Sequence, residues 1–207
     1  MDSDSAIVDA APLGRRERSK AALRQRLLEA ALAAFAEKDY RSATIDEIAE
    51  RADVARATAF NHFPRKEDFL LALILRRRQS VREGLEQLLE AGDRPVLDVI
   101  RTVAKAAVDS YEANRHTNQA MMRAMLQSGV MATSGSHATG LLFGKAIALG
   151  QERGEIRTDL DPYAIGNVIF DSYTGILYRW GLGELDGPLQ QAFDTSLEVV
   201  VAGISLR

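Results

Sequence analysis

Helical periodicity runs through almost the whole chain and leaves little room for β-structure. From Ser19 onwards, apolar residues recur at three- and four-residue spacings, beginning with Leu28, Leu32 and Phe35 on one face of a first helix. No segment shows the alternation of apolar and polar residues that predicts a strand. The sequence therefore predicts an all-α protein of about nine helices.

Capping signals and prolines mark where the helices begin and end. Thr44 followed by Glu47 predicts a capping box at the start of a short second helix, TIDEIAERA. A third helix, ARATAFNHF, ends at Pro64, and a long fourth helix is predicted from Lys66 to Ala91. The other helices are expected at about 95–114, 117–128, 137–153 and 162–180, with a last one ending near 204 and the most loop-like interior stretch at 129–140.

Composition excludes several classes of protein. The chain has no cysteine, which excludes disulfides and cysteine-ligated zinc. No apolar run approaches the ~20 residues that a membrane span needs. Residues 1–14 are predicted to form a disordered tail and lack the basic and apolar regions of a signal peptide. We therefore expect a cytoplasmic protein with no membrane partner.

Basic and acidic residues are distributed unevenly along the chain. Residues 15–78 contain 15 Lys and Arg against 10 Asp and Glu, whereas residues 79–207 contain 11 against 16. A basic segment joined to an acidic body is typical of a DNA-binding domain attached to a regulatory domain. Without a motif, an uneven solvated surface would be the simpler explanation.

Residues 44–63, TIDEIAERADVARATAFNHF, supply that motif, because they predict two short helices joined by a tight turn. In a helix-turn-helix unit the first helix braces against the DNA backbone and the second enters the major groove. Ala49 permits the two helices to approach closely, and Val54 plugs the turn. The small core can be formed by Ile45, Ile48, Phe60 and Phe63. The outer face of the second helix then carries Arg56, Ala57, Thr58, Asn61 and His62, which can meet bases or phosphates.

The segment from Arg18 to Leu73 resembles the DNA-binding domain of the TetR family of transcriptional regulators. The resemblance rests on AAFAEKDYRSATIDEIAERADV, an aromatic-x-x-Phe recognition helix and a trailing Pro-x-Lys-Glu. It implies a helix-turn-helix domain at 15–66 and a ligand-binding and dimerisation domain at 67–207, in which 67–91 is the connecting helix. It also implies phosphate contacts and other duplex contacts from Thr44, Thr58, Phe60, Asn61, His62 and Lys66.

Three positions depart from the family's pattern. Family members commonly have Gly where Asp53 stands, Ser where Ala55 stands and Tyr where Phe60 stands. Asp53 can still occupy a left-handed turn, at a modest cost compared with Gly. Loss of a hydroxyl cap at Ala55 costs about 0.5–2 kcal/mol of local stability. Phe60 lacks the hydroxyl that would contact a phosphate.

Several candidate DNA contacts also have a purely structural explanation. Thr44 caps its helix whether or not DNA is bound, and Phe60 and Phe63 are expected to lie mostly in the core. No second histidine or carboxylate stands at the sequence spacing from His62 that metal ligands show. Neither a metal nor a cofactor is therefore predicted. The run Arg76-Arg77-Arg78 is typical of a solvated helix face.

The last two helices predict a dimer interface. The final helix carries a stripe of large apolar residues beside a stripe of small ones, and the helix before it has Gly166 and Gly175 for close packing. A two-fold four-helix bundle explains both helices, and related regulators dimerise in this way. Two buried helices of a monomer are the alternative. The predicted interface residues are Ile169, Tyr173, Ala192, Ser196, Val199 and Gly203.

A ligand pocket is predicted in the helices between the DNA-binding unit and this bundle. Methionine side chains are flexible and fill irregular apolar cavities, although such residues are also ordinary core. The candidate lining residues are Asn114, His116, Met121, Met122, Met125, Phe143, Asn167 and Tyr173.

Together these features predict a dimeric repressor that binds a near-palindromic operator in double-stranded DNA and is released by a small apolar or aromatic effector. Control by a protein partner and activation of transcription are alternatives that need the same fold. An enzyme is not expected, because the chain offers three scattered histidines and no nucleophile–base or paired-carboxylate motif.

Overall fold

The computed structural model describes residues 14–130 and 137–205, and the chain is almost entirely helical there. These ranges contain nine helices: α1 (Arg15–Lys38), α2 (Ile45–Arg51), α3 (Arg56–His62), α4 (Lys66–Ala91), α5 (Val96–Glu112), α6 (Arg115–Ser128), α7 (His137–Glu152), α8 (Pro162–Leu182) and α9 (Leu189–Ile204). Within the same ranges the only β-pairing is an isolated bridge between Ile156 and Ser205. The all-α prediction is confirmed. Most of the predicted tail, residues 1–13, and much of the loop-like stretch, residues 131–136, lie outside the described residues.

The N-terminal helices share a continuous core with the rest of the molecule. One hydrophobic cluster joins side chains of α1 to α4 with side chains of α5, α6, α8 and α9, so that Phe35 and Phe63 belong to the same cluster as Met121 and Trp180. A second cluster surrounds Ile147 and is formed by residues of α4, α5, α7, α8 and α9. No described helix has the length and apolarity of a membrane span.

The long helix α4 connects the two clusters. Phe69 and Leu73, in its first half, are buried in the first cluster, whereas Leu85 is buried in the second. The helix has the predicted bounds and ends before Gly92, whose φ of 69° is the left-handed conformation that stops a helix. Because α1 also packs against α6, the N-terminal helices contact the body through two elements.

Helices α7 and α8 cross closely because glycines line their contact. A Cβ atom on Gly166 would lie 2.3 Å from the backbone nitrogen of Gly144. Gly166 therefore permits close packing within this chain, whereas the sequence had suggested it for a dimer interface. A Cβ atom on Gly175 would meet nothing within 4 Å, so that this glycine lies on an open face of α8.

Candidate nucleic-acid interface and effector cavities

The start of α2 has the capping geometry that the sequence predicts. The amide of Glu47 donates to the hydroxyl oxygen of Thr44 at 3.2 Å, and the amide of Thr44 donates to the Glu47 carboxylate at 3.1 Å. Lys38 forms an ion pair with the same carboxylate and, together with Thr44, lowers the pKa of Glu47. Thr44 is exposed, and its hydroxyl still has a proton to donate to a phosphate.

The turn between α2 and α3 is closed by a left-handed aspartate and braced by α1. Asp53 adopts a φ of 52°, as predicted, and the amide of Val54 donates to the carbonyl of Ala49 at 3.0 Å. The guanidinium of Arg26 donates to the carbonyl oxygens of Ala52 and Asp53. Sequence reasoning missed Arg26, because it lies far along the chain from the turn that it supports.

Burial along α3 separates an inner face from an outer one. Ala59 and Phe63, which is one helical turn further along, are completely buried against α2 and α4. Phe60 is 36% exposed, so its predicted place in the core is wrong, although the prediction for Phe63 is correct. Phe60 follows Ala59 by one residue, which turns its side chain away from the core. The outer face consists of exposed Arg56, Ala57, Phe60 and Asn61 with half-buried Thr58 and His62.

Two basic side chains near this face interact with neighbouring aromatic rings. The guanidinium of Arg56 lies 5.3 Å from the ring centre of Phe60 and 2.8 Å from the carboxylate of Asp46. The guanidinium of Arg24, on α1, lies 4.3 Å from the ring centre of Phe63. Arg24 was not among the sequence candidates, although the basic first half of α1 was a signal for it.

Lys66 joins the start of α4 to the loop that precedes α2. Its Nζ donates to the carbonyl oxygens of Tyr40 at 2.8 Å and Arg41 at 3.1 Å, and it lies 4.7 Å from the ring centre of Tyr40. The Tyr40 hydroxyl donates to Glu67 at 2.7 Å, and burial and this carboxylate raise the pKa of Tyr40. One N–H of Lys66 is left for the predicted phosphate.

Two cavities lie beside α4, and five of the predicted ligand residues line them. A cleft of about 750 Å³ between α1, α4, α5 and α6 is lined by Asn114 and Met121. A smaller apolar cavity of about 80 Å³ between α4, α6 and α8 is lined by Met122 and Met125. Tyr173 lines both, and burial raises the pKa of its hydroxyl well above the usual range.

The other three predicted ligand residues lie elsewhere. His116 is exposed on α6 and lines neither of the two cavities. Phe143 is buried in the second cluster. The side chain of Asn167 lies at the crossing of α7 and α8, where its Oδ1 would be 2.2 Å from a Cβ atom on Gly140. Periodicity places these residues on helices but does not say which helix faces meet.

The face of α8 and α9 that points away from the core is open and partly apolar. Val199 is 71% exposed and Val168 is 51% exposed. Ile169 and Tyr173, which were predicted for the interface, belong to the opposite face of α8 and pack against the hydrophobic clusters of this chain. The other predicted interface residues line or border the outer face, namely Ala192, Ser196, Val199 and Gly203.

Comparisons with known proteins agree with this architecture. Residues 27–73 match the profile of a family described as bacterial regulatory proteins, tetR family. The chain is 28% identical to the HTH-type transcriptional repressor KstR of Mycolicibacterium smegmatis, over 76% of each chain. It is 36% identical to the HTH-type transcriptional activator FasR of the same species over 32% of this chain and 30% of that protein. SmeT, the repressor of the Stenotrophomonas maltophilia multidrug efflux pump SmeDEF, has a similar fold. It superposes with a TM-score of 0.73 at 22% identity, over 88% of this chain and 90% of SmeT. SmeT is also known in complex with triclosan.

Proposed function

We propose that this chain, whose residues 27–73 match the tetR family of bacterial regulatory proteins, is a DNA-binding transcriptional regulator of that family. It acts as a homodimeric repressor whose operator affinity falls when a small effector binds its helical body. The outward face of α3 carries this proposal. It presents polar, basic and aromatic side chains on a short helix that α1, α2 and α4 hold in place. A helix of this kind reads base edges in the major groove.

The residues proposed to contact DNA fall into two groups. Thr58, Asn61 and His62 carry hydrogen-bonding groups on the outer face of α3 and are assigned to the base edges. Thr44 and Lys66 stand at helix starts and are assigned to phosphates, since helix N-termini attract anions. Arg56, Ala57 and Phe60 complete the surface that meets the duplex.

The dimer is proposed to form through the outer faces of α8 and α9. Exposed valines are costly in water, and a two-fold partner would cover Val168 and Val199 together. Gly175 and Gly203 leave open space around their Cα atoms, which lets helices approach closely. A two-fold dimer presents two equivalent recognition helices, so the operator would be near-palindromic, with half-sites about 34–36 Å apart.

The apolar cavity is proposed as the effector site. A ligand there would touch both α4 and α6. The start of α4 packs beside α3, and α1 packs against α6, so that a shift of either helix would move the DNA-binding unit. KstR and SmeT carry the name repressor, and SmeT binds triclosan. FasR is an activator, which makes activation the second candidate.

Operator binding and effector binding test the proposal together. Operator duplexes would be selected from random DNA, and their affinity measured by fluorescence anisotropy with and without a panel of apolar and aromatic compounds. Coupling of about 1–3 kcal/mol is typical and must be reciprocal. Saturating operator should therefore weaken effector binding, followed through Trp180, by the same factor. A panel without antagonism would favour control by a protein partner, and higher transcription from an operator-bearing promoter would favour activation.

A further inference from the structure

Arg77 stands in the wall that the two cavities share. It lines both the open cleft and the apolar cavity, as Val81 and Tyr173 also do. Its guanidinium lies 3.6 Å from the ring centre of Tyr111. The positive charge of Arg77 therefore lies at the boundary between the open cleft and the apolar cavity. The sequence had suggested only a solvated helix face for it.

The hydrogen-bond partners of Arg77 are neutral. Nη1 donates to the hydroxyl of Ser110 at 3.0 Å, and Nη2 donates to Oδ1 of Asn118 at 2.8 Å. Among the described residues no carboxylate forms an ion pair with Arg77. Two of its five N–H groups are used in this way, and the others have the planar geometry that suits a carboxylate or a phosphate.

The apolar cavity itself has a basic wall and no acidic one. Its described lining contains Arg77 and Arg78 but no Asp or Glu. Arg78 donates to Thr139 at 3.2 Å, and burial lowers the pKa of Arg78. A charge inside a low-dielectric cavity is costly unless an opposite charge accompanies it. Because the hydrogen-bond partners of Arg77 are neutral, the guanidinium of Arg77 favours an occupant that brings a negative charge.

The rest of the cavity wall is suited to a hydrocarbon. Met122 and Met125 form one side, and Leu177 and Phe170 form another. Thioether side chains adapt their shape, so that a cavity of about 80 Å³ can open for a larger group. The adjoining cleft of about 750 Å³ has room for whatever part of a ligand remains outside.

We propose that the effector is an anionic amphiphile, whose acidic group binds Arg77 and whose apolar part occupies the cavity beside Met122 and Met125. This inference rests on the proposed effector-controlled function and names the chemical class of its ligand. The oxygens of the acid group accept hydrogen bonds from the guanidinium N–H groups that Ser110 and Asn118 do not use, while the apolar part is removed from water. A neutral molecule of the same shape gains only the second contribution.

Paired probes separate these contributions. Decanoate and 1-decanol differ in the charge of one end, as do 4-phenylbutyrate and 4-phenyl-1-butanol. Calorimetric titration of the full-length protein without DNA should show that each acid binds more tightly than its alcohol. Arg77→Gln should weaken binding of the acids about tenfold or more, because it removes charged hydrogen bonds, and should leave binding of the alcohols unchanged.

Arg123→Gln is the matched control. Its guanidinium also donates to a neutral oxygen, the carbonyl of Gly181, but it lines neither cavity, so the acids should bind this variant as they bind the wild type. Arg77→Lys keeps the charge and should retain part of the preference for acids. Thermal unfolding of each variant, together with unchanged alcohol binding, shows that the cavity is intact.

The outcomes also separate this inference from the proposed function. Equal affinity of acid and alcohol for the wild type, or equal loss of both in Arg77→Gln, would overturn the anionic ligand. Acids that bind through Arg77 without weakening operator binding would confirm the site and overturn effector-controlled release. If selection from random DNA yields no duplex that the wild-type protein binds, the proposed DNA-binding function is refuted, whether or not the acids bind.

Discussion

The guanidinium of Arg56 lies 2.8 Å from the carboxylate of Asp46, so the first residue of the recognition helix is paired with the first turn of the preceding helix. Both side chains are largely exposed, and exposed pairs contribute only about 0–1 kcal/mol to stability. In the proposed complex with DNA the contact matters more, because Asp46 would occupy Arg56 and place a negative charge near the phosphates.

Asp46→Asn should therefore tighten DNA binding for all sequences, specific and non-specific alike. The variant frees Arg56, and one additional phosphate contact would steepen the slope of log K against log salt by about 0.9. Anisotropy titrations across a range of salt concentrations measure this slope. Glu90→Gln, at the far end of α4, removes an acidic charge away from α3 and is the control. Equal slopes for wild type and Asp46→Asn would mean that Arg56 does not reach the backbone.

Lys66→Met should lower both stability and DNA affinity. The substitution removes two hydrogen bonds to the carbonyls of Tyr40 and Arg41, a loss of about 1–2 kcal/mol in the free energy of unfolding. If the remaining N–H binds a phosphate, all sequences should lose affinity alike and the salt slope should flatten. Tyr40→Phe, which keeps the carbonyl of Tyr40, should preserve the slope. If Lys66→Met lowers stability but keeps the wild-type salt dependence of DNA affinity, Lys66 has only a structural role.

Thr58→Ala and His62→Ala should relax specificity. Both side chains are half-buried at the outer face of α3, and loss of a base contact costs roughly 1–3 kcal/mol. The measurement compares affinity for the selected operator with affinity for scrambled DNA. The ratio should fall in each variant, whereas Lys105→Gln, on α5, should leave it unchanged. If a variant loses affinity for operator and for scrambled DNA equally, the substituted residue contacts phosphates and not bases.

The sequence predicted local features well, because they depend on neighbouring residues. The capping box of Thr44 and Glu47, the left-handed Asp53 and the bounds of α4 all follow from spacing within one or two helical turns. Phe60 was harder, since an aromatic residue of a short helix satisfies both a core and a surface pattern. In the structure Ala59 takes the buried position and Phe60 lies on the surface. The sequence alone does not show which of these two residues is buried.

Relationships between distant segments could not be predicted in this way. Arg26 supports a turn that lies more than 25 residues away along the chain. The positions of Phe143 and Asn167 depend on how α7 crosses α8, which glycine contacts determine in three dimensions. Arg77 resembled any exposed arginine until its contacts with Ser110, Tyr111 and Asn118 placed it between two cavities.

Asp53→Gly should stabilise the protein. A left-handed φ of 52° strains a residue with a Cβ atom, and glycine relieves this strain by roughly 0.5–1 kcal/mol. Asp39 also has a positive φ, 71°, but its carboxylate accepts the amide of Tyr40 at 2.8 Å. Asp39 has a different backbone conformation, with a ψ of 149°, so that Asp39→Gly combines relief of another kind of strain with loss of this hydrogen bond, and Asp53→Gly is the cleaner test of left-handed strain. Denaturant unfolding measures both variants, and destabilisation by Asp53→Gly would show that its side chain has a role of its own.

The proposed dimer can be tested on the outer faces of α8 and α9. Ser196→Arg and Gly203→Glu introduce charged side chains there. A Cβ atom on Gly203 meets nothing within 4 Å, whereas Ser196 is half-buried and borders Phe193, so the free energy of unfolding of Ser196→Arg is measured as well. Burying an unpaired charge in an interface costs several kcal/mol, so sedimentation should show monomers. Monomers should bind a full operator poorly, since they offer one recognition helix where the dimer offers two. Leu75→Glu is the control, because Leu75 is a large apolar residue that is also exposed but lies on α4. Dimers that survive both interface substitutions would move the interface to another face of the body.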